Sequence, residues 1–198
     1  MKAKRLVLFD FDGTLTEKDT FFEFISFTHG RLRLLLGLVM LSPLLLLFKV
    51  GLIKNQFAKE QVLTYFYKGI SITEFNKLCS QFARDYIPKL IRSNALLLLN
   101  EYIKEESTTI IVVSASPENW VSEWCKQHGI HCISTRLLVG ENLITGKIDG
   151  LNCYGMEKVR RVKETTDISE YAEIIAYGDS RGDKEMLALA SKPHYRFF

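Results

Sequence analysis

Two aspartates one residue apart, Asp10 and Asp12, close the apolar run 6–9 and are followed at once by Gly13 and Thr14. A strand that ends this way presents two carboxylates at its C-terminal edge. Strand period two puts both on one side if the extended geometry persists. Like charges this close are costly unless a cation or a shared proton holds them. Two more carboxylates, Asp179 and Asp183, stand in the run Tyr177-Gly-Asp-Ser-Arg-Gly-Asp183 at the end of another apolar stretch. With Asp10 they make a hard-oxygen set suited to Mg²⁺, with waters and a phosphate oxygen completing the octahedron.

A phosphoryl-transfer centre needs a nucleophile, a proton donor for the leaving oxygen, a divalent cation, and groups for the equatorial oxygens. Asp10 can attack phosphorus to give an aspartyl phosphate. Asp12 can protonate the leaving oxygen and later deprotonate water. The Ser114 hydroxyl and the Ala115 N–H can donate to phosphate, and Lys158 can balance the carboxylates. Gly13 lets the chain turn where a side chain would obstruct. Each piece alone has a plainer reading: a turn, a strand-end hydroxyl, a solvated helix lysine. A calcium loop beginning at Asp10 fails, because glycine stands at its fourth position and not its sixth. No P-loop offers a competing phosphate site.

The elements that must position these groups alternate. Residues 6–10, 110–113, 131–135 and 173–178 read as buried strands, with 193–198 a short fifth. Helices are expected over 95–106, 116–128, 156–165 and 183–191. The clearest signal is at 116–128: Ser116 as cap, Pro117 at the first helical position, Glu118 in the first turn and Gly129 as stop. This alternation predicts an α/β fold, a doubly wound parallel sheet, which binds ligands beyond the C-terminal strand ends. Residues 138–154 carry turn signals suited to a β-hairpin. Residues 17–94 interrupt the pattern with helical periodicity and little strand signal. The expected division is a core of 1–16 and 95–198 with an all-helical insertion, 17–94, roofing the site.

At 198 residues the chain can hold one good core plus a modest insertion. Its 26 basic and 23 acidic residues leave +3, too mild to argue for a nucleic-acid partner. Cys79, Cys125, Cys132 and Cys153 lack metal-ligand spacing and read as reduced thiols. A strand reached within five residues leaves no room for a signal peptide, so a cytoplasmic location is expected. Residues 34–48 carry no charge over fifteen positions and contain Pro43. A spanning helix needs roughly 20 apolar residues, so this run is short for one span. Arg31, Arg33, Lys49 and Lys54 flank it, which suits peripheral contact with an anionic membrane surface. A buried roof hairpin or a dimer contact are the other readings, and the oligomeric state stays open.

In order, the D-F-D-G-T run, the apolar run ending in Ser114, Lys158, and G-D-S-R-G-D resemble the four motifs of the haloacid dehalogenase superfamily of phosphatases. The resemblance spans Asp10 to Asp183. It implies that Asp10 is nucleophile and metal ligand, and that Asp12 is the acid/base and binds metal through its backbone carbonyl. It implies that Ser114 and Lys158 hold the phosphoryl group, that Asp179 ligates Mg²⁺, and that Asp183 does so directly or through water. The helical insertion resembles the C1-type cap of subfamily IB, which includes phosphoserine phosphatase.

The E-K-D-T-F-F run at Glu17, the leucine-rich segment, S-A-S-P at Ser114 and C-Y-G-M-E-K-V at Cys153 are similar to the phosphatidylglycerophosphatase C type. That similarity implies a membrane-anchoring cap and a lipid phosphate substrate. Phosphoserine phosphatases usually carry G-D-G-x-N-D and S-G-G where this chain has Arg181-Gly182 and Ser114-Ala115-Ser116. Both departures count against phosphoserine. The leading expectation is therefore a Mg²⁺-dependent phosphomonoester hydrolase at the inner face of the membrane, acting on a phospholipid monoester such as phosphatidylglycerophosphate. The alternative is a soluble metabolite phosphatase. A membrane-peripheral binding protein with a relic site would show a damaged constellation, and all four motifs keep their chemical groups.

Overall fold

The computed structural model describes residues 4–198. In chain order its strands are β1 (Arg5–Phe9), β2 (Thr108–Pro117), β3 (His131–Thr135), β4 (Leu137–Gly140), β5 (Leu143–Ile148), β6 (Glu173–Gly178) and β7 (Lys192–Tyr195). Five of them form one sheet in the order β3-β2-β1-β6-β7, and each of its pairings is parallel. β4 and β5 form a separate antiparallel hairpin. Its turn places Glu141 and Asn142 at φ 51° and 63°, the primed-turn geometry that matches strand twist.

The central strand β1 is buried on both faces, as a parallel strand covered by helices must be. Leu6 and Leu8 pack into one apolar cluster with Val162 and Met186, while Val7 and Phe9 join the other with Leu99 and Trp120. Phe9 lies opposite Val112 of β2 and Tyr177 of β6. The residues that follow these three positions therefore emerge along one sheet edge. Chain order reverses at β1, so that edge is the switch point where open α/β sheets bind ligands.

The helices are α1 (Thr20–His29), α2 (Arg31–Met40), α3 (Ser42–Lys49), α4 (Asn55–Tyr67), α5 (Ile72–Asp85), α6 (Ser93–Ile103), α7 (Glu118–Gln127), α8 (Met156–Thr165) and α9 (Lys184–Leu189). The first five lie between β1 and α6. Phe24 of α1 stacks on Trp120 of α7 at 4.5 Å between ring centroids, and Phe82 of α5 meets the same ring edge-on. The hairpin joins this layer too. Ile144 receives a backbone bond from Gly69 and donates one to Ile70, each 2.9 Å. Two short segments connect the helical layer to the sheet. Glu17 N–H donates to Leu90 O at 2.8 Å and Arg92 N–H to Leu15 O at 2.9 Å, making a two-stranded stem.

Some expectations fail for identifiable reasons. Ser116 does not cap a helix: β2 runs on to Pro117, because pairing with β3 resumes at Thr135 and Ser134 Oγ donates to Ser116 O. Pro117 occupies the cap position and α7 begins at Glu118. The helix expected over 183–191 is shorter, since Ser180 and Asp183 form a capping box ahead of it. The last strand stops at Tyr195, before Arg196 at φ 53°. Residues 34–48 are not a buried roof hairpin. They fall in α2 and α3, bent by 68° to each other, and Gly37 is the one buried residue of the pair.

Candidate active site

Asp10 follows the last residue of β1, and its N–H donates to Tyr177 O at 2.9 Å. The chain then makes a tight turn over residues 11–15. Gly13 sits at φ 82°, and a Cβ there would come within 2.4 Å of Asp179 Oδ2. Glycine is required twice over, for the left-handed backbone and for the close approach of the Asp179 carboxylate.

Asp10 and Asp12 both face one cavity of about 460 Å³, but different groups hold them. Lys158, on the first turn of α8, is buried and gives each ammonium proton a separate acceptor. These are Asp10 Oδ1 at 2.6 Å, Asp183 Oδ1 at 2.6 Å and Val113 O at 2.7 Å. Thr14 Oγ1 donates to Asp10 Oδ2 at 3.2 Å. Asp12 turns instead toward the layer above the sheet. Its Oδ1 accepts from Thr20 N–H at 2.7 Å and Thr20 Oγ1 at 2.5 Å; its Oδ2 accepts from Ser116 Oγ at 2.6 Å and Ser114 Oγ at 3.3 Å. Trp120 Nε1 donates to Thr20 Oγ1 at 3.1 Å and fixes that hydroxyl. The like-charge problem is thus solved by separation: an ammonium holds one carboxylate and hydroxyls hold the other.

Asp183 is buried, and its second oxygen accepts from Ser180 N–H at 2.9 Å and Ser180 Oγ at 2.7 Å. Burial opposes its ionisation, yet Lys158 and the Ser180 donors hold it below the usual carboxylate range. Burial pushes Asp10 up to about 8 against the pull of Lys158, with Asp183 and Asp12 adding to the rise. Burial also opposes the charge of Lys158, but Asp10 and Asp183 outweigh it and raise that group. Of the two carboxylates on Lys158, Asp10 is therefore the one that takes a proton first. Burial, then Asp183, raises Asp179.

These groups fit a divalent cation. One oxygen each from Asp10, Asp179 and Asp183 lies within 4.8 Å of the others, and Asp179 Oδ1 is buried without a hydrogen-bond partner. The cavity wall carries five carboxylates against two ammoniums. A phosphate dianion would be repelled there unless a cation of hard-oxygen preference joined the carboxylates. Ala115 lines the cavity and Ser114 lies behind it, fully buried, accepting Ser116 N–H at 3.0 Å.

Four residues of the site escape the sequence reading: Asp19, Lys59 and Ser116, which line the cavity, and Thr20, buried behind Asp12. Ser116 had a signal, since strand period two from Ser114 puts both hydroxyls on one face. Asp19 and Thr20 had a weaker one, an aspartate opening a helix; Asp19 does cap α1, accepting Phe21 N–H at 2.8 Å. Burial and the nearby Asp12 raise Asp19 to about 6. Lys59 had none. It descends from α4, donates to Ala115 O at 2.8 Å, and lies 5.5 Å over the Phe21 ring. Burial lowers its pKa, although Asp19 and Asp12 oppose that.

A parallel sheet with carboxylates and a lysine gathered at its switch point is an α/β fold carrying a ligand site where such sheets bind, and the sequence comparison gives the family. Residues 7–188 match the family model for haloacid dehalogenase-like hydrolase, and the chain belongs to that family. It is 34% identical over 197 residues to Protein CicA of Caulobacter vibrioides, covering 98% of this chain and 86% of that protein. Among solved structures, a Bordetella pertussis protein of unknown function superposes with TM-score 0.82 at 22% identity, covering 98% of this chain and 89% of that one. A substrate-bound phosphoserine phosphatase superposes with TM-score 0.68 at 19% identity, covering 96% and 84%. At such identities these two likenesses concern the fold.

Proposed function

We propose that this hydrolase is a Mg²⁺-dependent phosphomonoesterase that works through an aspartyl phosphate and takes a phospholipid monoester, such as phosphatidylglycerophosphate, at the cytoplasmic leaflet. Asp10, Asp179 and Asp183 would hold the Mg²⁺, which supplies charge neutralisation at the phosphoryl oxygens when bound. Asp10 attacks phosphorus, the bond from phosphorus to the ester oxygen breaks, and Asp12 gives that oxygen its proton. Water then attacks the phosphorus of the aspartyl phosphate and passes a proton to Asp12, which releases orthophosphate and frees Asp10. The hydroxyls of Thr20, Ser114 and Ser116 can turn to donate or accept, so they serve Asp12 with and without its proton. Lys158 holds the Asp10 carboxylate in line. Lys59 places a second positive charge on the insertion side, where the leaving group must lie.

The observation that carries the lipid reading is the wall of the same cavity. Phe21, Phe22, Leu45, Phe48 and Val62 line it above the carboxylates. Leu45 and Phe48 belong to α3, whose Leu46 and Leu47 are exposed, and Val39 and Met40 at the end of α2 are 69% and 70% exposed. One helix thus lines the site and offers apolar surface outside it. Arg31, Arg33, Lys49 and Lys54 border that surface, and none forms an ion pair among the described residues. Basic groups beside an apolar face suit anionic headgroups. Among the described residues no single helix is long and apolar enough to cross a membrane; α2 and α3 qualify only as a bent pair.

The test is phosphate release with Mg²⁺ from phosphatidylglycerophosphate in mixed micelles, phosphoserine and soluble sugar phosphates. The lipid substrate is expected to give the highest kcat/KM, and Asp10→Asn to lower it by about a thousandfold or more. Turnover confined to soluble esters would replace the lipid reading with that of a metabolite phosphatase. Equal activity of wild type and Asp10→Asn would remove the nucleophile.

A further inference from the structure

A second cavity, of about 250 Å³, shares Gly13 and Asp179 with the main one and is otherwise separate. Arg92, Arg196, Thr14 and Phe198 are among its walls. Arg92 Nε is buried and has no hydrogen-bond partner. Neither arginine forms an ion pair among the described residues. Asp179 is the one acidic side chain in that lining, and it is turned to Gly13 and the cation cluster. The cavity therefore presents two guanidiniums and no other acidic side chain.

Each arginine is anchored by its own backbone to a different part of the active site. Arg92 ends the returning strand of the stem, where its N–H holds Leu15 O at 2.9 Å. Arg196 donates its N–H to Gly178 O at 2.8 Å and its Nε–H to Asp179 O at 3.1 Å. It does so at φ 53°, a conformation costly for a residue with a side chain and one that points to a role when the surroundings enforce it. Arg92 thus belongs to the connection between the sheet and the helical layer, and Arg196 to the turn that presents Asp179.

We propose that this cavity binds a phosphate-class oxyanion between the Arg92 and Arg196 guanidiniums, and that the bound anion ties the stem of the helical insertion to the Asp179 turn. A tetrahedral oxyanion has enough acceptors to engage two planar forks at once, and guanidinium matches it in geometry and charge. Arg92 Nε is buried without a partner, so the fold leaves hydrogen-bonding capacity of this guanidinium unused, and the face of the group that lines the cavity is free to take an acceptor. Arg196 is exposed, so the ligand exchanges with solvent through that side. Free orthophosphate and the phosphate group of a larger molecule share this chemistry. The inference rests on the two arginines and stands whether or not the main cavity hydrolyses lipids.

The experiment is isothermal titration of the Mg²⁺-loaded protein with sodium sulfate, orthophosphate and glycerol phosphate, on wild type, Arg92→Gln, Arg92→Lys and Arg196→Gln. Saturable sulfate binding is expected in wild type. Loss of a charge-assisted pair should weaken it by about tenfold or more in either glutamine variant. Arg92→Lys, which keeps the charge and loses the fork, should fall between. Sulfate should raise the melting temperature of wild type and leave Arg92→Gln unmoved. If only the free ions bind, the ligand is orthophosphate itself; if glycerol phosphate competes, the cavity takes an esterified phosphate. Anions lodged only in the main cavity would bind all four proteins alike. That result, or no saturable sulfate binding to wild type, overturns the proposal. Should Arg92→Gln not fold, the exposed Arg196→Gln gives the same reading.

Discussion

The floor and the roof of the main cavity are built on opposite terms. In the floor the central charges are held by groups of the protein: Lys158 spends its three protons on Asp10, Asp183 and Val113 O, and Asp12 is ringed by hydroxyls and one N–H; Asp179 Oδ1 alone is left without a partner among the described residues of that cluster. In the roof, α2 and α3 bury almost nothing and leave leucines in solvent. A buried charge is tolerated only with its partners in place, so the floor is rigid by necessity. An exposed apolar patch of this kind is uncommon on a monomer and marks a surface that meets something. The contrast separates the chemistry from the choice of substrate.

The hardest blow to the floor is Lys158→Met, which leaves Asp10 and Asp183 buried without their cation. Urea unfolding should show a loss of about 3–5 kcal/mol, with activity below detection. Wild-type stability in that variant would mean the floor is as tolerant as the roof. On the roof, replacing Leu35, Leu36 and Val39 together by serine should do the reverse. Stability should stay within about 0.5 kcal/mol per site. Affinity for anionic vesicles, measured by flotation, should fall by about a thousandfold or more, given about 1.5–3 kcal/mol for each fully buried apolar side chain. A large stability loss with unchanged flotation would make these leucines structural.

Lys59 joins the two regions, and Lys59→Met is expected to raise KM by about tenfold with a smaller change in kcat. Steady-state kinetics on the preferred ester would check it; an effect on kcat alone would move Lys59 into the chemistry. The smallest effect concerns Asp10. Its carboxyl ordinarily titrates near 3.8 and is raised to about 8 in the fold. Without divalent cation the folded chain keeps a proton that the unfolded chain has released, so stability from this group is complete below about pH 4 and is lost as pH rises through 8. Mg²⁺ binding at pH 7 should therefore release up to about one proton per chain, read by an indicator in weak buffer. Asp10→Asn should release less.

Much of the floor was legible because its residues sit where strands end. The runs containing Asp10, Ser114 and Asp179 mark their own strands, and parallel pairing brings strand ends to one edge whatever the loops do. β6 and α8 have the expected bounds, 173–178 and 156–165. The end of β2 is not legible locally, because Ser116-Pro117-Glu118 is a good helix start by local chemistry and only the presence of β3 makes a longer strand better. For the same reason local chemistry points Ser116 to a cap and gives no sign of its hydroxyl on Asp12. Arg92 and Arg196 have no mutual signal at all, being 104 positions apart and joined only by a shared cavity wall.

The sequence by itself determined which carboxylates and which lysine stand at the strand ends and helix start, the order of strand and helix around them, and the family, because residue type and short-range period suffice for each. The tertiary structure decided which partner each carboxylate has. Asp10 and Asp12 are indistinguishable as types, and the difference between them arises when α8 brings an ammonium to one and α1 with β2 brings hydroxyls to the other. It also decided that the leucine-rich segment is outside the core. Its composition is equally suited to burial, and only the lack of a facing surface leaves it in solvent.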